Sequence, residues 1–257
     1  MRSRFITYIG IDITFGATPV TFVALDEEQQ PLAIGVGDAA DALAYAAGQM
    51  GGALLAVNAA ACPNSGRMKR PEVRQSFNPP PAGGKFTALR QAEYELFRAG
   101  MAVPETPDSA DKCLPWVRKG FLTVQKLASM GYRPFSEEPE AGSEPSKRQW
   151  LETNATAGFW SLLGVQPLTS GSLEGRIQRQ LVLRDEGLNV PDAMDFFEEI
   201  TRFKLLKSNL PDKNIFPQAE INAWMAAHTA WLANNEPQRI QAYGEPEEGF
   251  IYLPIHA

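Results

Sequence analysis

Apolar residues follow two rhythms along this chain. From Phe5 to Asn58 they form short, nearly unbroken runs, and after about residue 86 they recur at helical spacing. The runs at 5–13, 18–25, 31–36 and 53–58 are strand-length and bounded by turn residues, so each predicts a buried β-strand. An Ala-rich stretch at 38–50 predicts a helix between the last two. Three successive strands, a helical crossover and a parallel fourth strand are what this order implies. A long irregular stretch then runs over 59–85, with Pro79-Pro80-Pro81 and Gly83-Gly84. Loops of this length are uncommon, and many carry function.

The remainder reads as helical. Periodic segments at 86–99 and 115–130 stop at Gly100 and Gly131. An acidic, Pro-containing loop is expected over 137–145, followed by a strand at 148–153. Helices are expected at 155–163, 172–186, 192–207 and 218–234, with an edge strand at 249–253. Neither a repeat nor a dividing linker interrupts the pattern. The expectation is one α/β domain over 1–257, with a central mixed β-sheet flanked by helices, and extra C-terminal helices.

Composition narrows the partners. The chain is 44% hydrophobic and 21% charged, as in ordinary soluble globular proteins. Its net charge of -6 gives no global field that draws in nucleic acid, so a polyanion site has to be a local basic patch. The two cysteines, Cys62 and Cys113, lack metal-ligand spacing, and the two histidines are too few for a His-rich metal site. A reducing, cytoplasmic setting fits. The basic start, Met1 to Arg4, precedes an apolar run that is short and contains Asp12, so neither a signal peptide nor a membrane span is expected. Walker loop, dinucleotide fingerprint and nucleophile elbow are all missing from the sequence.

Asp12 is the residue with the most chemical content. It closes the first strand pattern, with a short turn containing Gly16 and a second strand behind it. RNase H-like nucleases and actin-like ATPases both begin in this way. In the first group the carboxylate holds a divalent metal; in the second it lies near a nucleotide phosphate. A strand-end Asp that caps a turn is the plain alternative. Gly10 to Thr14 would suit an actin-like phosphate loop, but the second Asp-containing, Gly-rich turn of such proteins is not found, and 257 residues is short for two such halves.

Four segments, taken in order, extend the comparison. They are Tyr8-Ile9-Gly10-Ile11-Asp12; Leu55 to Ala60 with the Gly66-Arg67 loop; Arg90 to Leu96 closing at Gly100-Met101; and Leu151-Glu152 through Phe159 to Gly164 and on to Glu174-Gly175-Arg176 to Gln180. Together with 219–230 and 244–254 they resemble a family of predicted RNase H-like nucleases, a domain-of-unknown-function family. The similarity covers nearly the whole chain, and order and spacing carry it rather than any single motif. The resemblance implies an RNase H-like fold and metal-dependent phosphodiester hydrolysis. Two Mg²⁺ or Mn²⁺ ions would stabilise the attacking and leaving oxygens, held by carboxylates from strand ends and the closing helix.

In this sequence the four implied catalytic positions read Asp12, Asn58, Glu152 and Asn222. Two are amides where the resemblance leads one to expect Asp. An amide keeps a carbonyl oxygen and loses the charge. A metal would then rest on Asp12 and Glu152, with Asn58 and Asn222 completing the shell weakly. Two readings follow: a nuclease, impaired or active, and a non-catalytic descendant that binds nucleic acid or protein through the same cleft.

The substrate side is expected among basic residues. Arg67, Lys69, Arg70, Arg74, Lys85 and Arg90 have only Glu72 as a near neighbour of opposite charge in sequence, which suits a local phosphate patch. Phe77 and Phe86 are candidates for stacking on unpaired bases. A solvated loop whose arginines bind the acidic 137–145 segment is the competing reading. Arg176 and Arg179 lie three apart on one helix and share a face; resemblance puts them at the cleft, and a structural pairing with Glu174 or Asp185-Glu186 is the alternative. Arg90 and Glu93 read first as a surface salt bridge. His228 falls on a core-like stripe with Trp224 and Met225, which favours a satisfied buried histidine over a ligand.

Overall fold

The structure is a computed structural model, and residues 5–13, 19–136 and 147–256 are described. The turn around Gly16 and the acidic 137–145 segment lie outside the described residues.

Strands β1 (Thr7–Asp12), β2 (Val20–Leu25), β3 (Pro31–Gly37) and β4 (Ala53–Asn58) follow the four apolar runs, and α1 (Ala39–Ala47) lies between the last two. Helix α1 starts at Asp38, whose side chain accepts from the Ala40 and Asp41 amides. The stretch after Asn58 is less irregular than expected. It holds a 3₁₀ turn at Arg67–Lys69 and a short helix α2 (Pro71–Gln75), with proline at the first helical position, where its missing N–H is harmless.

Helix α3 (Gln91–Arg98) begins later than the periodicity suggests, because Phe86 sits at φ 65 and Arg90 acts as its cap. Helix α4 (Pro115–Ser129) is followed by β5 (Arg133–Pro134), a two-residue strand with no sequence signal, and by β6 (Arg148–Thr153). Helices α5 (Ala155–Leu163) and α6 (Leu173–Asp185) match expectation. The segment at 192–207 does not form one helix. It splits into α7 (Asp195–Glu199) and α8 (Arg202–Leu206), because the Thr201 side chain accepts from the Lys204 amide and starts a new helix. Helix α9 (Gln218–Asn235) is followed by β7 (Ile240–Glu245) and β8 (Gly249–Pro254).

The described strands form one mixed sheet in the order β3-β2-β1-β4-β6-β8-β7, with β5 beside β6. Strands β1, β4, β6 and β8 are parallel; β2, β3 and β7 form antiparallel flanks. The strand expected at the edge, β8, is therefore internal. Strand β7, whose exposed residues gave no apolar run, takes the edge.

One face of the sheet is covered by α5, α6 and α9, with Tyr8, Leu54, Ala56 and Leu151 in that core. The other buries Ile9, Ile11, Leu55 and Val57 beneath α1 and Leu127 of α4. Gly10 sets the approach of α9: a Cβ there would lie 2.0 Å from the Ala223 carbonyl oxygen and 2.3 Å from the Ala227 nitrogen. Tyr8 Oη accepts from the Asn234 and Asn235 amides near the other end of the helix. Helix α9 thus runs opposite to β1, and its first turns lie over the carboxyl ends of the central strands. Among the described residues, no helix is long and apolar enough to cross a membrane.

Candidate functional site

The register brings Asp12 opposite Asn58, and Asn58 opposite Thr153. Asp12 and Asn58 are almost fully buried, and Asn58 Nδ2 donates to Asp12 Oδ1 at 2.6 Å. Asn58 Oδ1 accepts from the Ala155 amide at 2.8 Å, at the start of α5. These two bonds fix the orientation of the amide: its oxygen faces a helix N-terminus and its NH₂ faces the carboxylate. Asn222 lies in the second turn of α9, over the same strand ends. Its side chain is buried, and its Oδ1 has no hydrogen-bond partner.

Glu152 is paired with Val57, one residue short of Asn58 in the ladder. Successive strand side chains point to opposite faces, so Glu152 projects away from Asp12, Asn58 and α9. Of the four implied catalytic positions, three share the α9 face and one does not.

Glu152 belongs to a different cluster. Arg90, only 2% exposed, donates to it through both terminal nitrogens, with Nη1 3.0 Å from Oε2 and Nη2 bound to Oε1. Arg90 Nε also reaches Glu93 Oε1 at 2.9 Å, and the Ala61 amide donates to Glu152 Oε2 at 2.8 Å. Glu93 Oε2 accepts from the Arg90 and Thr106 amides. Burial opposes the charge on Arg90, but the Glu152 carboxylate beside it outweighs this and holds its pKa well above the usual arginine value. The Arg90–Glu93 pair is thus an interior anchor and not the surface bridge that the spacing suggested. A cleft of about 60 Å³ opens beside it, lined by Asn58, Arg90, Glu93, Glu152, Asn154 and Trp116. That is room for a few water molecules.

This donor set does not form a paired-metal cage. Asp12 already takes a proton donor from Asn58, and the Asn58 oxygen is turned to α5. Glu152 is on the far face with both oxygens bound by Arg90. Among the described residues, no three His, Cys, Asp or Glu side chains gather in a metal-binding group.

The basic stretch is also internally occupied. Arg67 and Arg70 both bind Glu247, in the turn between β7 and β8, and Arg67 Nε donates to Gln91 at 3.1 Å. Arg74 donates to the carbonyls of Met68, Pro81, Gly83 and Lys85, and so fastens its own loop. Lys69 stands 3.9 Å from Asp108. Phe77 and Phe86 pack against Tyr94 with ring centroids 4.8 and 5.3 Å away, and both are half-buried.

Sequence reasoning missed Glu248, which is buried. Its Oε1 accepts from the Ser65 amide and hydroxyl, and its Oε2 from the Gln91 amide at the start of α3. One carboxylate thereby ties the loop after β4 to α3. The adjacent glutamates Glu247 and Glu248 were the only available signal, and nothing local links them to residues some 180 positions away.

Arg176 is half-buried and Arg179 fully buried; neither pairs with Glu174, Asp185 or Glu186 among the described residues. Glu186 instead binds His228 at 3.2 Å and Arg239 at 2.5 Å, and His228 Nδ1 lies 2.7 Å from Gln29 Oε1. His228 is a satisfied core residue.

No family model matches the chain, and no curated protein and no solved structure is matched by it.

Proposed function

We propose that this chain is a non-cleaving, nucleic-acid-binding module built on an RNase H-like sheet. The β3-β2-β1-β4-β6 order supports the fold reading, with an antiparallel hairpin pair leading into parallel strands. The observation that carries the functional reading is the 2.6 Å bond from Asn58 Nδ2 to Asp12 Oδ1. Where a paired-metal nuclease places cations between carboxylates, this chain places an amide donor against its carboxylate. The carboxylate charge that would draw two metals is halved at these positions.

Ligands of open α/β sheets gather at the carboxyl ends of the parallel strands. Here that edge is flanked by the 59–75 loop with Arg67 and Arg70. Phosphate contacts require those side chains to exchange Glu247 for the ligand, which gives binding that is weak and salt-dependent. A reducing, cytoplasmic setting accords with the free thiols of Cys62 and Cys113.

A metal-dependent nuclease is the second reading. The unpartnered Asn222 Oδ1, buried over the strand ends that carry Asp12, favours it. A cleavage assay with Mn²⁺ separates the two, using single-stranded, duplex, hybrid and branched substrates. The expected result is no cleavage by wild type or by Asp12→Ala, with retention of labelled nucleic acid at low salt. Cleavage by wild type that disappears in Asp12→Ala would overturn the binding reading.

A further inference from the structure

Among the described residues two arginines are fully buried, and their surroundings are opposite. Arg90 has two carboxylates. Arg179, 2% exposed, has none among the described residues: its Nη1 donates to the Leu168 and Gly175 carbonyls at 2.8 and 2.9 Å. Its guanidinium lies 5.5 Å from the centre of the Phe159 ring, and its Nε has no partner. Carbonyls and a ring face solvate a cation but do not neutralise it. Arginine stays charged in proteins, so the usual escape of a buried charge, losing its proton, is closed.

The chain is shaped around this cation. At Gly175 a Cβ would lie 1.9 Å from the Thr169 carbonyl oxygen and 3.1 Å from Arg179 Nη1. Glycine there lets the 165–172 strap and the guanidinium share the first turn of α6. The strap is pinned by Gln178 Oε1 to the Leu168 amide at 2.8 Å, and by Gln218 Nε2 to Ser170 Oγ at 2.6 Å. The second bond brings the start of α9 against the start of α6.

The first amide of α5, at Ala155, donates to Asn58 at the end of β4, so the N-termini of α5, α6 and α9 lie toward this end of the sheet, each carrying partial positive charge. Pro217 gives α9 no side-chain cap. Arg176, three residues nearer the start of α6, makes no ion pair among the described residues. Glu174 is exposed at that helix end, where its own backbone amide and Ser172 lower its pKa; it does not pair with Arg179.

We propose that Arg179 anchors a binding site for an oxyanion of the phosphate class beneath the 165–172 strap. The ligand's oxygens are taken by Nε and the edge of the guanidinium that the two carbonyls leave unused, and Arg176 stands at the approach. The proposal does not depend on the nucleic-acid reading, because inorganic phosphate serves as the probe.

The test is a phosphate titration of the whole chain at constant ionic strength, with chloride as control. Arginine Nε–Hε resonances are followed by NMR, with that of Arg179 assigned through its contact with the Phe159 ring. Thermal unfolding is followed in wild type and Arg179→Met. The expected result is a saturable shift of the Arg179 resonance and a phosphate-dependent rise in Tm, with apparent affinity at least about tenfold weaker in Arg179→Met. No movement of the Arg179 resonance in wild type would overturn the proposal, as would an equal Tm rise in both proteins. Should Arg179→Met not fold, the wild-type resonance alone decides. A 5′-phosphorylated oligonucleotide that shifts the same resonance, where its unphosphorylated counterpart does not, would identify the source as a phosphomonoester end.

Discussion

Asn58 Nδ2 lies 2.6 Å from Asp12 Oδ1, and Asn58 Oδ1 lies 2.8 Å from the Ala155 amide nitrogen. The amide is therefore not a neutral remnant of an acid. It supplies a donor on one side and an acceptor on the other, and only one of these roles survives in a carboxylate.

The first prediction concerns Asn58→Asp. The new carboxylate keeps the bond from Ala155 but faces Asp12 with like charge, which raises the pKa of the pair. A raised folded-state pKa gives stability that is present at low pH and lost as pH rises. Relative to wild type, the variant should be destabilised by roughly 1–3 kcal/mol at pH 7 and regain most of this below about pH 4. Urea midpoints measured across that range check it. Recovery of the neutral-pH loss by millimolar Mn²⁺, and not by Na⁺ of equal ionic strength, would show that the rebuilt pair accepts a metal.

The Arg90 cluster makes a second prediction. Removing the guanidinium with Arg90→Met leaves Glu93 and Glu152 buried without their counter-ion, at a cost of about 3–5 kcal/mol. Adding Glu152→Gln should return part of that loss, so the double variant is more stable than the sum of the single changes. A double-mutant cycle by urea unfolding reads the coupling. Strict additivity would mean that the pair contributes nothing beyond its separate packing.

These two sites also show what the sequence does and does not carry. Strand β4 is readable because burial on both faces writes a continuous apolar run, and the start of α5 because Asn154 caps it. Asp12 and Asn58 stand out as polar residues that close such runs. Their partners do not stand out. Whether Glu152 faces Asp12 or Arg90 depends on a one-residue step in the ladder, which no propensity encodes. The burial of Arg90 and the reach of Glu247 and Glu248 arise from the β7–β8 hairpin folding back onto the loop after β4. Strand β7 itself is half-exposed at the sheet edge and has no periodic apolar pattern. The break at Thr201 was legible in principle from its capping side chain, but the helical periodicity on both sides masks it.

A third prediction follows from the shared use of Glu247 by Arg67 and Arg70. Both arginines hold Glu247 below the usual carboxylate range, with the Arg70 hydrogen bond the largest cause, so the acid stays charged and competes with phosphate. Glu247→Gln should free two cations at the surface. Nucleic-acid affinity should rise, and the slope of log K against log salt should steepen by about 0.7 per added single-strand phosphate contact. Filter binding at several salt concentrations measures both. An unchanged slope would remove the 67–70 region from the interface.

The partly buried trio of Glu186, His228 and Arg239 sets a fourth prediction. Burial pushes the Glu186 pKa upward, but hydrogen bonds from His228 and Arg239 overcome it and leave the pKa lowered. A lowered folded-state pKa gives stability that is present above the unfolded value and lost as pH falls through the folded one. Glu186→Gln should thus be less stable than wild type at neutral pH, and the two curves should converge from about pH 4 downward. Thermal midpoints at half-unit pH intervals test this; parallel curves over the whole range would show that the carboxylate charge is not what the trio uses.

The last prediction concerns how closely α9 lies on the sheet. Gly10 has no Cβ, and one added there would fall 2.0 Å from the Ala223 carbonyl oxygen, a backbone atom that cannot rotate aside. Gly10→Ala must therefore lift the helix or shift β1. Overpacking of this kind costs about 1–3 kcal/mol or more. The displacement would fall where α9 carries Asn222 over the strand end that holds Asp12. Stability should drop, and amide exchange should quicken both along the first turns of α9 and at the carboxyl end of β1. Exchange confined to α9 would show that the helix moves alone, and that the sheet, with the Asp12–Asn58 pair on it, keeps its shape without the helix pressed against it.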